Sequence, residues 1–219
     1  MIDLHTHTLF SDGALSIAEL VRRAEVAGCR GLVISDHVDA SVLDFVVSRL
    51  AKQAPRLTKL SKVMVVPGCE LTHCPPKVIG ELTEEARRLG AKLVTVHGET
   101  IVEPVAEGTN RAAIEARVDL LAHPGLISDE DAKLAAERGV CLEVSGRKGH
   151  CLTNGHVVKL ARKYGARLYF GSDTHAPEDI VGRAQAERIC RGAGLTDEEV
   201  AEMFVGAEEL VRRVLSAQN

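Results

Sequence analysis

Met1-Ile-Asp-Leu-His5-Thr-His7 is a short apolar run that ends in two histidines, and the same grammar recurs down the chain. It returns as Leu32-Val-Ile-Ser-Asp36-His37, Val94-Thr-Val-His97-Gly-Glu99, Leu120-Leu-Ala-His123 and Leu168-Tyr-Phe-Gly-Ser-Asp173-Thr-His175. A further run, Val63-Met-Val-Val-Pro-Gly-Cys-Glu70, ends in a carboxylate, with His73 trailing it. Seven of the nine histidines fit this pattern; His150 and His156 share one loop outside it. Buried parallel strands read as continuous apolar runs. In α/β barrels and open sheets the strand C-termini carry the site. A repeated strand-then-histidine pattern therefore gathers imidazoles and carboxylates on one face, which suits metal ions.

Working outward, the apolar runs mark strands at 2–5, 31–35, 63–69, 92–97, 119–122, 140–145 and 167–171. Amphipathic stretches between them mark helices near 16–27, 41–54, 80–89, 109–117, 129–138, 155–164 and 178–192, with a last helix at about 197–217. Ser16-Ile-Ala-Glu19 reads as a capping box. Gly28, Gly90, Gly139 and Gly165 each follow a helix, where a left-handed residue closes the last turn. Alternating strands and helices predict βα units and a parallel sheet. Candidate ligands come from every strand except the sixth. An open sheet would concentrate them at one switch point, so the expectation is a single barrel domain over 1–219.

Composition narrows the function. At 219 residues, 45% hydrophobic, the chain can bury one sizeable core. A formal charge of -4 leaves no basic footprint for nucleic acid. Four Phe, two Tyr and no Trp make base-stacking platforms scarce. No apolar run approaches the roughly 18 residues of a membrane span, and no export signal is visible, so a cytoplasmic location is expected. Six scattered cysteines without a CxxC pair read as reduced core residues.

His5-Thr-His7 places two imidazoles on one side of an extended segment. Collected from the strand ends, the candidates are His5, His7, Asp12, His37, Glu70, His97, His123, Asp173 and His175. Nine ligands exceed what one ion takes and suit two or three. The loop after the sixth strand adds Arg147, Lys148 and His150 on the same face. Arg offers a bidentate fork for phosphate and Lys a point charge; Arg147 is the first choice for substrate phosphate, with Lys148 and His150 behind it. Thr100 to Gly108 is another expected pocket wall. Asp36 is read as an orienting or turn residue, His73 as loop or supporting, and His156 as structural. Glu99 either orients His97 or reaches substrate, or accepts an N–H within its loop.

The motifs His5-Thr-His7-Thr…Ser11-Asp12-Gly13, Ser35-Asp36-His37, Gly68-Cys69-Glu70, His97, Ala122-His123-Pro124 and Gly171-Ser172-Asp173-Thr174-His175 stand in an order that resembles the PHP (polymerase and histidinol phosphatase) family. An HxH pair alone is weak; six motifs in order are specific. The resemblance implies an α/β fold, a distorted (β/α)7 TIM-like barrel, with three divalent ions, Zn, Mn or Fe. It matches His5, His7, Glu70 and Asp173 to a first metal, with Glu70 bridging to a second held by His97 and His123. Asp12, His37 and His175 match a third; some members carry His at the Asp12 position, and Asp there favours harder ions. Catalytic weight would fall on Glu70, Asp173 and His175, around a metal-bridging hydroxide as nucleophile. The activity implied is hydrolysis of a small-molecule phosphomonoester such as histidinol phosphate. Nucleases and phosphotyrosine-protein phosphatases of the same family are the alternatives. A related amidohydrolase commonly uses a carboxylated lysine as its bridge, a position filled here by Glu70. A non-catalytic metal-binding regulator ranks last, because none of the nine expected ligands is missing.

Overall fold

The computed structural model describes residues 1–216. Eight strands form: β1 (Ile2–Thr6), β2 (Gly31–Ile34), β3 (His37–Val38), β4 (Met64–Leu71), β5 (Leu93–His97), β6 (Leu120–Ala122), β7 (Cys141–Ser145) and β8 (Leu168–Gly171). The helices are α1 (Ile17–Val26), α2 (Leu43–Leu60), α3 (Ile79–Leu89), α4 (Thr109–Glu115), α5 (Asp129–Arg138), α6 (Asn154–Tyr164), α7 (Arg183–Gly192) and α8 (Asp197–Ser216). All pairings are parallel, in the order β1-β2-β4-β5-β6-β7-β8.

The sheet curls until its ends meet. The Asp173 N–H donates to the His5 carbonyl at 2.9 Å and the His7 N–H to the Thr174 carbonyl at 2.8 Å. Beneath them Asp3, buried in β1, accepts from the Ser172 N–H at 2.9 Å. The result is an α/β TIM-like barrel of seven strand positions, as the spacing of the apolar runs implied. The strand expected at 31–35 forms as β2 and ends at Ile34. Ser35 and Asp36 interrupt it, and β3 resumes against Glu70 and Leu71 of β4. That short resumption was not legible as a strand.

Period-two alternation sorts the side chains. Leu4, Val94, Val96, Leu142 and Val144 are fully buried apolar partners, on the opposite strand face from His5, Thr95, His97 and Glu143. Complete burial of each aliphatic side chain contributes about 1.5–3 kcal/mol before entropy is counted, so this apolar layer carries the fold and leaves the other strand face free to hold polar groups.

Boundaries shift where one residue wins over the pattern. The second helix, expected near 41–54, runs on through Pro55 to Leu60. The proline forfeits one N–H, while Leu43, Val46, Val47, Leu50 and Ala54 bury one face and hold the helix on course. The expected helix from 178 begins only at Arg183, after a 3-10 turn at Pro177–Asp179. Ser16 caps α1 by accepting from the Glu19 N–H at 3.3 Å, but the Glu19 carboxylate turns to Arg23 instead of closing the box. Gly28, Gly90, Gly139 and Gly165 all take positive φ. The last helix reaches Ser216, and its expected end at Ala217 lies outside the described residues. Among the described residues no helix is long and apolar enough to cross a membrane.

Candidate active site

All nine residues expected from the strand ends converge in one mouth of the barrel. Their donor atoms fall into overlapping groups, each spanning no more than 4.8 Å: His5, His7 and Glu70; His5, His123 and Asp173; His7, Asp12, His37 and His175; and His97, His123 and His150. Glu70 sits at the centre. Its Oε2 lies 3.4 Å from His5 Nε2, 3.7 Å from His7 Nε2 and 2.7 Å from His37 Nδ1, and its Oε1 lies 3.6 Å from His123 Nε2. Asp173 stands opposite, Oδ1 3.3 Å from His7 Nε2 and Oδ2 3.7 Å from His123 Nε2. Asp12, though exposed, puts Oδ1 3.2 Å from His175 Nε2 and 3.5 Å from His37 Nε2.

Local backbone explains the convergence. Asp173 and His123 both have positive φ, 56° and 25°. Such conformations are costly for non-glycine residues and recur at functional sites. Asp36 accepts from the Thr8 N–H at 2.6 Å, the Thr8 hydroxyl at 2.8 Å and the Ser11 hydroxyl at 2.9 Å. It thereby pins the loop that presents Asp12, the orienting role expected of it. Gly13 lets that loop lie on β1, since a Cβ there would stand 2.7 Å from the His7 carbonyl oxygen.

The imidazoles are aimed by their outer nitrogens. His5 Nδ1 meets Glu143 Oε1 at 2.7 Å, His37 Nδ1 meets Thr72 Oγ1 at 2.6 Å, His97 Nδ1 meets the Gly98 carbonyl at 3.2 Å and His175 Nδ1 meets the Asp173 carbonyl at 3.0 Å. These contacts fix the orientation of the four rings, as the outer partners of metal-binding histidines do; His37 Nδ1 also stands 2.7 Å from Glu70 Oε2. His156 is built the other way round, its Nε2 on the Ile127 carbonyl at 2.8 Å, in keeping with a structural role.

Glu143 is the residue that the sequence pattern missed. Fully buried in β7, it spans the site, taking His5 Nδ1 on one oxygen and the His123 N–H on the other at 2.9 Å. The signal available was a lone acid inside a buried strand, Cys141-Leu-Glu-Val-Ser145. The sixth strand unit thus contributes after all, as a support. Gly171 makes room for it: a Cβ there would stand 2.1 Å from Glu143 Oε1.

Electrostatics follow from burial and crowding. Burial opposes protonation of His5, but Glu70, Glu143 and Asp173 around it hold its pKa well above the usual histidine value. Burial likewise works against His37, and Glu70 with Asp12 reverses the outcome upward. Burial pushes Glu70 up, yet His5 and His37 bring it well below the ordinary carboxylate range. Burial lowers His7 and His123, and neighbouring imidazoles lower them further. Burial raises Asp173. Asp12 resists its burial and falls to about 2 through His175 and His37.

The atoms left over test whether metal ions fit. His5 Nε2, both nitrogens of His7, Glu70 Oε1 and His123 Nδ1 are buried without a hydrogen-bond partner. Each such group costs about 1–3 kcal/mol when nothing satisfies it. Imidazole nitrogens and carboxylate oxygens facing one another suit divalent transition ions. These clusters could hold metal.

Above them opens a cavity of about 190 Å³, with Arg147 at its rim. Arg147 donates from Nη1 to the Asp173 carbonyl at 3.2 Å, with His175 Nδ1 2.9 Å away. Lys148, expected beside it, is exposed and does not line the cavity. His150 does line it, with Nε2 3.8 Å from Asp173 Oδ2. Glu99 turns away and accepts from the Asn110 N–H at 2.8 Å, the loop role. Glu103, unremarked in the sequence within the expected wall from Thr100 to Gly108, reaches in to 3.1 Å from His97 Nε2. His73 lies at the outer edge, 3.7 Å from Glu103.

Relatives extend over the whole chain. A protein of unknown function from Methanocaldococcus jannaschii is 44% identical over 97% of this chain and 99% of its own length. A probable phosphatase from Caldicellulosiruptor bescii is 28% identical over 84% and 83%. Among solved structures, a chain of archaeal ribonuclease P with mature tRNA superposes with a TM-score of 0.71 at 18% identity, over 100% of this chain and 94% of that one. Histidinol phosphate phosphatase from Lactococcus lactis, complexed with zinc, L-histidinol and phosphate, gives 0.59 at 14% identity over 89% and 94%. At those identities the two structures share the fold. The PHP domain family matches residues 3–164, which takes in every site strand except β8. The chain belongs to the PHP domain family.

Proposed function

We propose that this protein is a metal-dependent phosphoesterase that hydrolyses a small-molecule phosphomonoester, with histidinol phosphate as the first candidate substrate. The observation that carries the reading is the buried cluster in which His5, His7 and His123 turn Nε2 toward Glu70 and Asp173, with His37, His97 and His175 beside them, beneath a small polar cavity. His5, His7, Glu70 and Asp173 would hold one ion, His97 and His123 a second shared through Glu70, and Asp12, His37 and His175 a third. When bound, such ions neutralise phosphoryl charge and lower the pKa of an attacking water.

The chain's own residues supply the rest. Arg147 presents its guanidinium at the mouth, where a fork of N–H donors can orient phosphoryl oxygens. Glu143 keeps His5 and His123 in position. The probable-phosphatase relative supports the reaction class, and the histidinol phosphate phosphatase fold supports the candidate substrate. A nuclease reading gains nothing from the cavity lining, which offers Arg147 but no lysine, and the net charge of -4 does not favour a nucleic-acid strand.

The test is a panel of phosphorylated metabolites, including histidinol phosphate and nucleoside monophosphates, against chain loaded with Mn, Fe or Zn. Phosphate release from one class of monoester supports the proposal. A folded, metal-loaded chain inert to every monoester, yet able to shorten a single-stranded oligonucleotide, would replace it with the nuclease reading.

A further inference from the structure

We infer that His150 and Glu103 are metal ligands, joining His97, His123 and the shared Glu70 in a five-residue protein donor set for one divalent transition ion. The inference rests on the reading above only in requiring that this mouth of the barrel bind metal. His150 comes from the loop after β7 and Glu103 from the loop after β5, so neither stands at a strand end.

Three observations converge on His150. It is buried, its Nδ1 is fixed at 2.8 Å by the Thr100 hydroxyl, and its Nε2 therefore faces the cavity, as in the other anchored histidines. Its donor atom lies within 4.8 Å of those of His97 and His123. The Thr100 contact fixes the direction in which the ring presents Nε2, as the outer partner of a metal-binding histidine does.

Glu103 closes the group from the solvent side. Oε2 lies 3.1 Å from His97 Nε2, and Oε1 lies 3.5 Å from His150 Nε2. Donors each about 2.0–2.2 Å from one ion stand about 2.8–3.6 Å apart, from octahedral to tetrahedral edges, so both separations are short enough for one ion to bridge. Being more than a third exposed, Glu103 is the donor that an incoming anion displaces, while the three buried histidines retain the ion.

The experiment strips the full chain with a chelator and titrates it with Co²⁺. Binding is followed by visible absorption and ion content by atomic emission. His150→Gln and Glu103→Gln are compared with wild type and with Glu107→Gln, an exposed change in the same loop. Loss of an orienting partner alone costs about 10–100-fold in metal affinity, so losing a ligand should weaken one equivalent at least tenfold and alter its absorption. The remaining equivalents and Glu107→Gln should match wild type. Unchanged binding in both test variants would overturn the inference, and a change confined to His150→Gln would overturn the Glu103 half. Glu103→Gln alters an exposed side chain, so it stays informative if His150→Gln folds poorly. Because the readout is binding, a metal-loaded but inert protein would sink the phosphoesterase reading and leave this one standing.

Discussion

Glu143→Gln isolates the support beneath the site. The carboxylate uses two acceptor oxygens, one for His5 Nδ1 at 2.7 Å and one for the His123 N–H at 2.9 Å. An amide of the same shape has one acceptor and one donor. The backbone N–H of His123 has only a hydrogen to offer, so the amide oxygen must go there. The amide NH₂ then faces His5 Nδ1, drives the imidazole proton to Nε2, and points that proton at Glu70. A protonated Nε2 cannot ligate an ion. Changes to such partners cost about 10–100-fold in metal affinity, which is about 1.4–2.7 kcal/mol.

The metal-free chain suffers separately, because a hydrogen bond to a charged group contributes about 1.5–3 kcal/mol. At this chain length each kcal/mol moves Tm by about 2–4 °C, giving a fall of about 3–12 °C. Isothermal titration with Zn²⁺ and a melt of the metal-free protein measure the two effects. Wild-type affinity in a Gln variant that melts normally would refute the argument that an anion must sit behind His5 and His123.

Two further outcomes follow from the same geometry. Gly171→Ala drives a methyl into Glu143 Oε1 and the His5 Cβ, 2.1 and 2.7 Å away. Overpacking of this kind costs about 1–3 kcal/mol, so chemical denaturation should show that loss together with weaker metal binding; a neutral substitution would contradict the packing. Acidity is the second. The folded pKa values of His5 and His37 lie above the ordinary value of 6.5, because Glu70 heads the charges that outweigh their burial. Their contribution to the metal-free chain is therefore fully present below pH 6.5 and is lost as pH rises through the folded values. A ligand must shed its proton, so ion binding at pH 7 should release protons, and affinity should climb as pH rises above 6.5. Calorimetry in buffers of different ionisation enthalpy counts those protons; zero release would contradict the assignment.

How much was legible in the sequence depends on what each residue's neighbours could reveal. The clustering of the nine residues was readable because strand ends repeat: an apolar run fixes where the chain emerges, and period-two alternation fixes which side His5 and His7 share. The barrel was readable because those ends were spread over the strands instead of two. Glu143 was not, since an acid within an apolar strand declares burial but not its partners, and these lie 138 and 20 residues away. Glu103 had no signal at all, because its place is set by how a loop folds back over the mouth. Lys148 shows the converse: adjacency to Arg147 in sequence did not bring it to the cavity. β3 escaped because two residues are too short to show a period, and α2 outran Pro55 because tertiary packing overrode local propensity.

The central claim, that Glu70 at the heart of the histidine cluster makes a metal-dependent phosphoesterase, is tested most directly by phosphate release from wild type and Glu70→Gln with ions counted in both. The account predicts release by wild type only when metal is present, and a loss of about 100-fold or more in the variant, as expected when a group acting on the reacting centre is removed. Full release by a folded Glu70→Gln chain, or release by metal-free wild type, would contradict it.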